Sequence, residues 1–170
     1  MSLLYRTILR PAVFLQDSEK AHNRTISMLE RASRSRLLSS LIGNLYSSPE
    51  LPSNHFSLDF PNPLGIAAGM DKNGAAVPAW QSLGYGFSEI GGITLHDQSG
   101  NPKPRMFRAS AEKALVNRMG FNNIGAHALH NRLKDWKDRG LWPDSPVGIN
   151  LGKSKITKLE EAPNDYSGSL

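Results

Sequence analysis

The sequence predicts an α/β fold, a parallel sheet covered by helices, preceded by an N-terminal helical hairpin. Three observations predict it. Short apolar runs at 64–68, 87–93 and 147–151 alternate with stretches of helical periodicity, the order that builds a parallel sheet with helical crossovers. Each run ends on glycine or polar residues, where a chain leaves a sheet. Apolar residues also recur every third or fourth position through the first 45 residues, with no strand-like alternation among them. The 170 residues include 15 glycines, 11 prolines and no cysteine. Glycine and proline are scattered without period among recurrent aliphatic clusters, which excludes a collagenous or disordered chain. The absence of cysteine excludes a disulfide scaffold, a thiolate metal site and a cysteine nucleophile. Length alone suggests one ordinary domain around one core.

Taken in order, Leu4, Ile8 and Ala12, with Tyr5, Leu9 and Val13 beside them, make one apolar helical face, and Pro11 marks a kink or restart. Asp17 is placed to cap a second helix in which Ala21, Thr25, Met28, Leu29 and Ala32 fall near one face. Leu37, Leu38, Leu41, Ile42 and Leu45 continue the helical spacing, with Gly43 as a break point. The proline- and serine-rich run SSPELPSNHFSLDFPNP then reads as a linker into an edge strand around His55 to Phe60, so the domain boundary falls near 46–54. Up to Leu45 seven basic residues face three acidic ones, which is +4 of the chain's +5. Such a segment attracts phosphate on nucleic acid or anionic lipid, or is a solvated helix face. No secretory signal pattern is present, and no stretch reaches the ~18 to 20 apolar residues of a membrane-spanning helix.

Beyond the linker, LGIAA (Leu64 to Ala68) reads as the first strand. A helix follows over Ala75 to Leu83, with Pro78 tolerable only in its first turn and Gly84 ending it. Phe87 to Ile93 is the second strand and Val147 to Leu151 the third. Between them Ala126, Leu129, Leu133 and Trp136 recur at helical spacing before Gly140. In such folds ligands collect at the C-terminal ends of the strands, and there stand Gly69 to Gly74, Gly91 to Thr94 and Asn150 to Lys153. Glycine lets backbone approach a planar or phosphorylated ligand, and a lysine at a strand end neutralises a developing anion. The connection from Thr94 to Asn123 far exceeds the usual length of about 4 to 6 residues. It carries Arg105, Arg108, Asn117, Arg118, Asn122 and Asn123 beside Phe107 and Phe121, a mixture found in binding lids and also in surface excursions.

Four runs, FPNPLGIAAGMDKNG (Phe60 to Gly74), GNPKPRMFR (Gly100 to Arg108), LVNRMGFNN (Leu115 to Asn123) and GINLGKSK (Gly148 to Lys155), resemble the class 2 dihydroorotate dehydrogenases, which are quinone-dependent and membrane-associated. The resemblance covers essentially the whole chain, including the N-terminal helices that the soluble class lacks. It implies an FMN-binding (β/α)8 barrel that oxidises dihydroorotate to orotate in pyrimidine (UMP) biosynthesis and passes electrons to quinone.

Residue by residue, the resemblance implies FMN contacts at Ala68, Gly69, Met70, Asp71, Lys72, Gly92 and Asn150. It implies orotate contacts at Lys72, Asn117, Arg118, Met119, Gly120 and Phe121, and a quinone channel lined by His22 and Arg108. The hairpin (1–46) is then expected to form the quinone tunnel on the cytoplasmic face of the cell membrane, with 47–170 as the barrel part. No metal and no nucleic acid are implied. Gly92 stands where the family usually has threonine or serine, which removes a hydroxyl contact. The family's base, a serine in an SSPNT-like motif, has no counterpart in these residues. A barrel of this type needs about 250 residues, so the expectation is a truncated barrel with three strands, inactive alone. Rival readings are another FMN barrel acting on pyrimidines, a noncatalytic basic module binding nucleic acid, and a truncated or split product with no function of its own.

Overall fold

The computed structural model describes residues 3–46 and 51–170. Part of the predicted linker, at 47–50, lies outside the described residues. The chain opens with a π-helical turn, Tyr5–Leu9, running into helix α1, Arg10–Phe14. Pro11 has no N–H to return to the carbonyl four residues back, so the preceding turn widens and Arg10 N–H reaches Tyr5 O instead. Helix α2, Ser18–Ser33, starts where expected: the Asp17 carboxylate accepts from Lys20 N at 2.9 Å. Helix α3, Arg36–Leu45, is capped by Ser35 and runs past Gly43, which lies in its last turn against the Ser82 carbonyl.

The expected edge strand is instead a hairpin, β1 (Ser53–His55) and β2 (Leu58–Phe60), paired antiparallel. Its two-residue turn places Phe56 and Ser57 at φ of 54° and 61°. Neither is the asparagine or glycine that normally signals such a turn, so nothing local announced it.

Strands β3 (Gly65–Ile66), β4 (Phe87–Ile93) and β7 (Val147–Leu151) form a parallel sheet in that order, the α/β arrangement foreseen. β4 and β7 match their apolar runs, whereas β3 is shorter than LGIAA. Helix α4, Val77–Ser82, joins β3 to β4 with Pro78 in its first turn, and α5, Ala126–Asp138, precedes β7. The main core lies between sheet and helices, where Val77, Ile90, Ile93, Leu129 and Trp136 are buried together and the Trp136 indole donates to Gly74 O at 3.0 Å. A second cluster, Ala76, Ala79 and Trp80, packs against Ile26 and Leu29 of α2. The N-terminal helix is thus attached to the α/β part by apolar contact.

The long connection holds a second hairpin, β5 (Met106–Ala109) and β6 (Ala114–Asn117). After β7 come a short 3-10 turn, Leu159–Glu161, and helix α6, Ala162–Ser169. Buried Asp165 of α6 holds the β7 exit by accepting from Ser154 N and the Thr157 hydroxyl. Part of the N-terminal basic charge is engaged locally, since Arg34 pairs with Glu30 and Asp135 and Arg36 donates to Gly140 O.

Candidate functional site

A cavity of about 1090 Å³ opens at the C-terminal ends of β3, β4 and β7. Its floor is the backbone leaving β3, Ala67 to Met70, flanked by Gly92 of β4 and Asn150 of β7. Asn117 and Met119 to Phe121 form one wall. Val13 and the α2 residues Ala21, His22, Thr25, Ile26 and Leu29 form the roof, with Arg108 of β5 at its side. A cavity of this size lined mainly by apolar groups with a few polar ones is what a cofactor site requires. A separate one of about 550 Å³, between the β1–β2 hairpin and Asp144, contains none of the residues singled out above.

The floor can admit a planar group. Gly69 has φ of +98°, and a Cβ built there would meet nothing within 4 Å, so its outer side faces open space. At Gly92 a Cβ would stand 3.3 Å from Asn150 Oδ1, so the absence of a side chain keeps backbone and amide together at the cavity edge. Gly91, at φ of +104°, lets β4 approach Asn150 O so closely that a Cβ would lie 2.4 Å from it. The Asn150 amide donates to Glu89 Oε1 at 2.9 Å.

Lys72 is half-buried and donates to Gly69 O at 2.9 Å, which bends the ammonium back over the floor. Burial pushes its pKa down, and the charge of Arg105 adds to the effect while Glu19 opposes it. Burial also lowers the pKa of His22, helped by Lys72 and opposed by Asp71 and Glu19, so His22 is neutral at neutral pH. Arg108 Nη1 donates to Gln16 O and its guanidinium lies 4.9 Å from the Phe14 ring centroid. His22, Lys72 and Arg108 are the charged or titratable groups among the described lining residues, and no carboxylate is among them. The wall therefore favours an anionic ligand.

The sequence-assigned residues fall together with two exceptions. Asp71 is buried with its carboxylate turned inward, accepting from Ala75 N at 2.8 Å, Ala76 N at 2.7 Å and the Trp80 indole at 3.3 Å. It shapes the turn that carries Lys72 rather than lining the cavity. Arg118 points outward and donates to Pro104 O at 3.2 Å. Asn117, which lines the wall, accepts from Met119 N at 3.4 Å. The Phe121 carbonyl is held by Gln98 and Asn123, and Asn123 is in turn bonded to Thr94 at the end of β4. Asn123 and Arg105, which the sequence placed in a connection readable as a binding lid or a surface excursion, are buried supports. Thr94 closes the strand-end run Gly91 to Thr94, whereas Gln98 has no sequence signal beyond its place soon after that strand.

The family model described as dihydroorotate dehydrogenase matches residues 50–169. The chain is similar to the dihydroorotate dehydrogenase (quinone) of Chloroflexus aurantiacus, with 49% identity over 174 residues that cover 99% of this chain and 47% of that protein. A protein of the same name from Gloeobacter violaceus is 49% identical over 168 residues, covering 96% and 45%. Among solved structures, the ferulenol complex of DHODH from Eimeria tenella superposes with a TM-score of 0.70 at 34% identity, covering 91% of this chain and 41% of that one. The ligand-free form from the same organism gives 0.61 at 37% identity, covering 76% and 40%. The chain spans about half the length of the curated relatives it matches.

Proposed function

The chain belongs to the dihydroorotate dehydrogenase family, and from that premise we propose that its cavity forms one side of an FMN and dihydroorotate site in a quinone-reducing enzyme of pyrimidine synthesis. The observation that carries this is convergence. Residues from α2, the β3 exit, β4, the long connection and β7, far apart in sequence, meet around one cavity, and among them are all the residues the resemblance singles out, Asp71 and Arg118 excepted. The three parallel strands are, in this reading, the opening strands of a barrel.

FMN bound on the floor would supply acceptance of a hydride equivalent from dihydroorotate and onward delivery of the electrons to quinone. The chain's own residues do the rest of the work assigned here. The backbone of Ala68 to Met70 and Gly92 provides the flat approach, and Asn150 provides the amide at its edge. The Lys72 ammonium attracts the substrate carboxylate and stabilises negative charge that develops above the floor. Asn117 offers an amide to a planar ring. The proton lost by dihydroorotate requires a base, and the described lining residues include no carboxylate to take it. The resemblance assigns that role to a serine in a motif that these 170 residues do not contain. His22 on α2 and Arg108 on β5 flank the side where quinone would enter.

The N-terminal helices support a membrane-surface role, because Leu4, Ile8, Leu9, Leu37, Leu41 and Leu45 are all at least half exposed. No described helix is long and apolar enough to cross a membrane. In this reading they rest on the cytoplasmic face of the cell membrane. The test is titration of FMN with the purified 170-residue chain, followed by flavin fluorescence. Saturable quenching that weakens in Asn150→Ala is expected, together with no turnover of dihydroorotate and quinone. Absence of flavin binding would sink the site. FMN-dependent turnover above a Lys72→Ala control would sink the claim that the chain supplies only one side.

A further inference from the structure

Helix α2 and the long connection meet at a buried ion pair to which no function has been attached. Glu19 stands one turn before His22 on α2, and Arg105 stands three residues before Arg108. Each is only 6% exposed. Arg105 Nε donates to both carboxylate oxygens at 3.2 Å and Nη2 donates to Oε1 at 2.8 Å. Its Nη1 donates to Ser99 O at 2.6 Å and Asn101 O at 3.0 Å. Arg105 O accepts from Arg118 N at 2.8 Å, beside the segment that forms the cavity wall. Exposed Lys103 adds a looser contact to Glu19 at 3.4 Å. The hydrogen bond from Arg105 keeps the Glu19 carboxyl below its ordinary range despite burial, so the pair is ionic at neutral pH.

Buried ion pairs contribute little net stability compared with apolar packing, since desolvation offsets the attraction. What a forked guanidinium–carboxylate contact does supply is a fixed distance and angle between two elements. Here those elements bring His22 and Arg108 to the cavity. A second tie, from Arg108 to Gln16 O just ahead of α2, lies on the same seam. The floor is held differently. Ala68 to Met70, Gly92 and Asn150 sit on strand ends backed by the core of Val77, Ile90 and Trp136, and the charges of Glu19 and Arg105 bear on Lys72 in opposite directions.

We propose that Glu19 and Arg105 are a positioning pair that registers α2 against β5 and so sets the geometry of the quinone entrance between His22 and Arg108, while leaving the backbone of the flavin floor in place. Neither residue touches the ligand. The quinone named here rests on the function proposed above; the registration of α2 does not.

Two measurements on the 170-residue chain test the pair. The first titrates ubiquinone-1 and FMN separately, reading tryptophan emission, to which Trp80 on the cavity wall contributes, and flavin fluorescence. The second follows backbone hydrogen exchange across 19–29. Glu19→Gln should raise the Kd for ubiquinone-1 about tenfold, or about 1.4 kcal/mol, and speed exchange in 19–29 about tenfold. It should leave the FMN Kd within about twofold and exchange in α5 unchanged. Lys103→Ala should change none of these. Unchanged quinone binding and exchange in Glu19→Gln would overturn the proposal, as would equal loss of FMN and quinone binding, the mark of a merely structural role. If Glu19→Gln does not fold, Glu19→Asp, which keeps the charge with shorter reach, is judged by the same criteria. If the unaltered chain binds no ubiquinone-1, the proposed function fails at its acceptor, and the exchange data alone then decide whether the pair registers α2.

Discussion

Asn150 on β7 donates its amide N–H to Glu89 on the neighbouring strand β4 at 2.9 Å, and this bond turns Asn150 Oδ1 toward Gly92 at the cavity edge. Glu89 therefore decides which end of the amide faces the cavity edge, the acceptor. Under the proposed function, the flavin would meet it with a donor.

Replacing Glu89 by leucine removes that control, and the amide becomes free to present either end. Flavin affinity should fall about tenfold, the scale of one hydrogen bond to a charged partner. Glu89→Gln keeps an acceptor oxygen and should stay within about threefold of the unaltered chain. Fluorescence titration reads both, and equal affinities for Glu89→Leu and the unaltered chain would refute the orientation role.

Gly91 and Gly148 form an opposed pair of tests on adjacent strands. Gly91→Ala places a methyl 2.4 Å from Asn150 O on a residue with φ of +104°. It should cost at least about 2 kcal/mol, from left-handed backbone and overpacking together. Gly148→Ala brings its methyl to 3.6 Å from Glu89 Cγ, an ordinary contact, and should change stability by no more than about 0.5 kcal/mol. Urea unfolding measures the difference, and similar midpoints for the two variants would contradict the packing seen between β4 and β7.

Asp71 is expected to act on stability first and on binding second. Asp71→Ala leaves the N–H groups of Ala75 and Ala76 without their buried acceptor, a loss of about 3 kcal/mol. For a chain of this size that lowers Tm by roughly 6–12 °C. Calorimetry checks it. A Tm within about 2 °C of the unaltered chain would show that water or another group satisfies the turn.

Stability should fall as the solution is acidified, in two stages. Burial, with help from Lys72, holds His22 below its ordinary 6.5. The Arg105 hydrogen bond holds Glu19 below 4.5. Burial pushes Asp165 up, but hydrogen bonds from Thr157 and Ser154 outweigh it and leave the carboxyl below 3.8. In each case the unfolded chain binds the proton more tightly, so stability rises with pH across these windows. The His22 contribution is complete above about pH 6.5 and declines as pH falls toward its folded value; those of Glu19 and Asp165 are lost at lower pH, through their folded values. Urea midpoints from pH 8 to 3.5 should show both stages, and His22→Gln should remove the first. A midpoint that rises on acidification would contradict the assignment.

Local chemistry was enough for several elements. β4 and β7 are apolar runs bounded by breakers, and each folds over the span its composition marks. Asp17 and Pro78 sit where capping and proline geometry require. β1–β2 escaped because Phe56 and Ser57 adopt left-handed conformations without a turn signature, held by pairing across the hairpin. The resemblance marked the floor and the 117–121 wall of the cavity, where glycines and a lysine stand at strand ends, whereas apolar lining residues such as Ile26, Leu29 and Trp80 carry no motif and were placed there by packing.

The sequence by itself determined the three parallel strands with the helices between them, the segments that surround the cavity and the family to which they belong, because apolar period, caps and contiguous motifs are written in neighbouring residues. Only the tertiary structure decided that Asp71 and Arg118 turn away from the cavity, that Glu89 orients Asn150, and that Arg105 is a buried partner of Glu19. Glu19 and Arg105 are 86 positions apart. Which of several arginines is buried depends on where a distant carboxylate comes to rest, and a single charge has no periodicity to announce its partner.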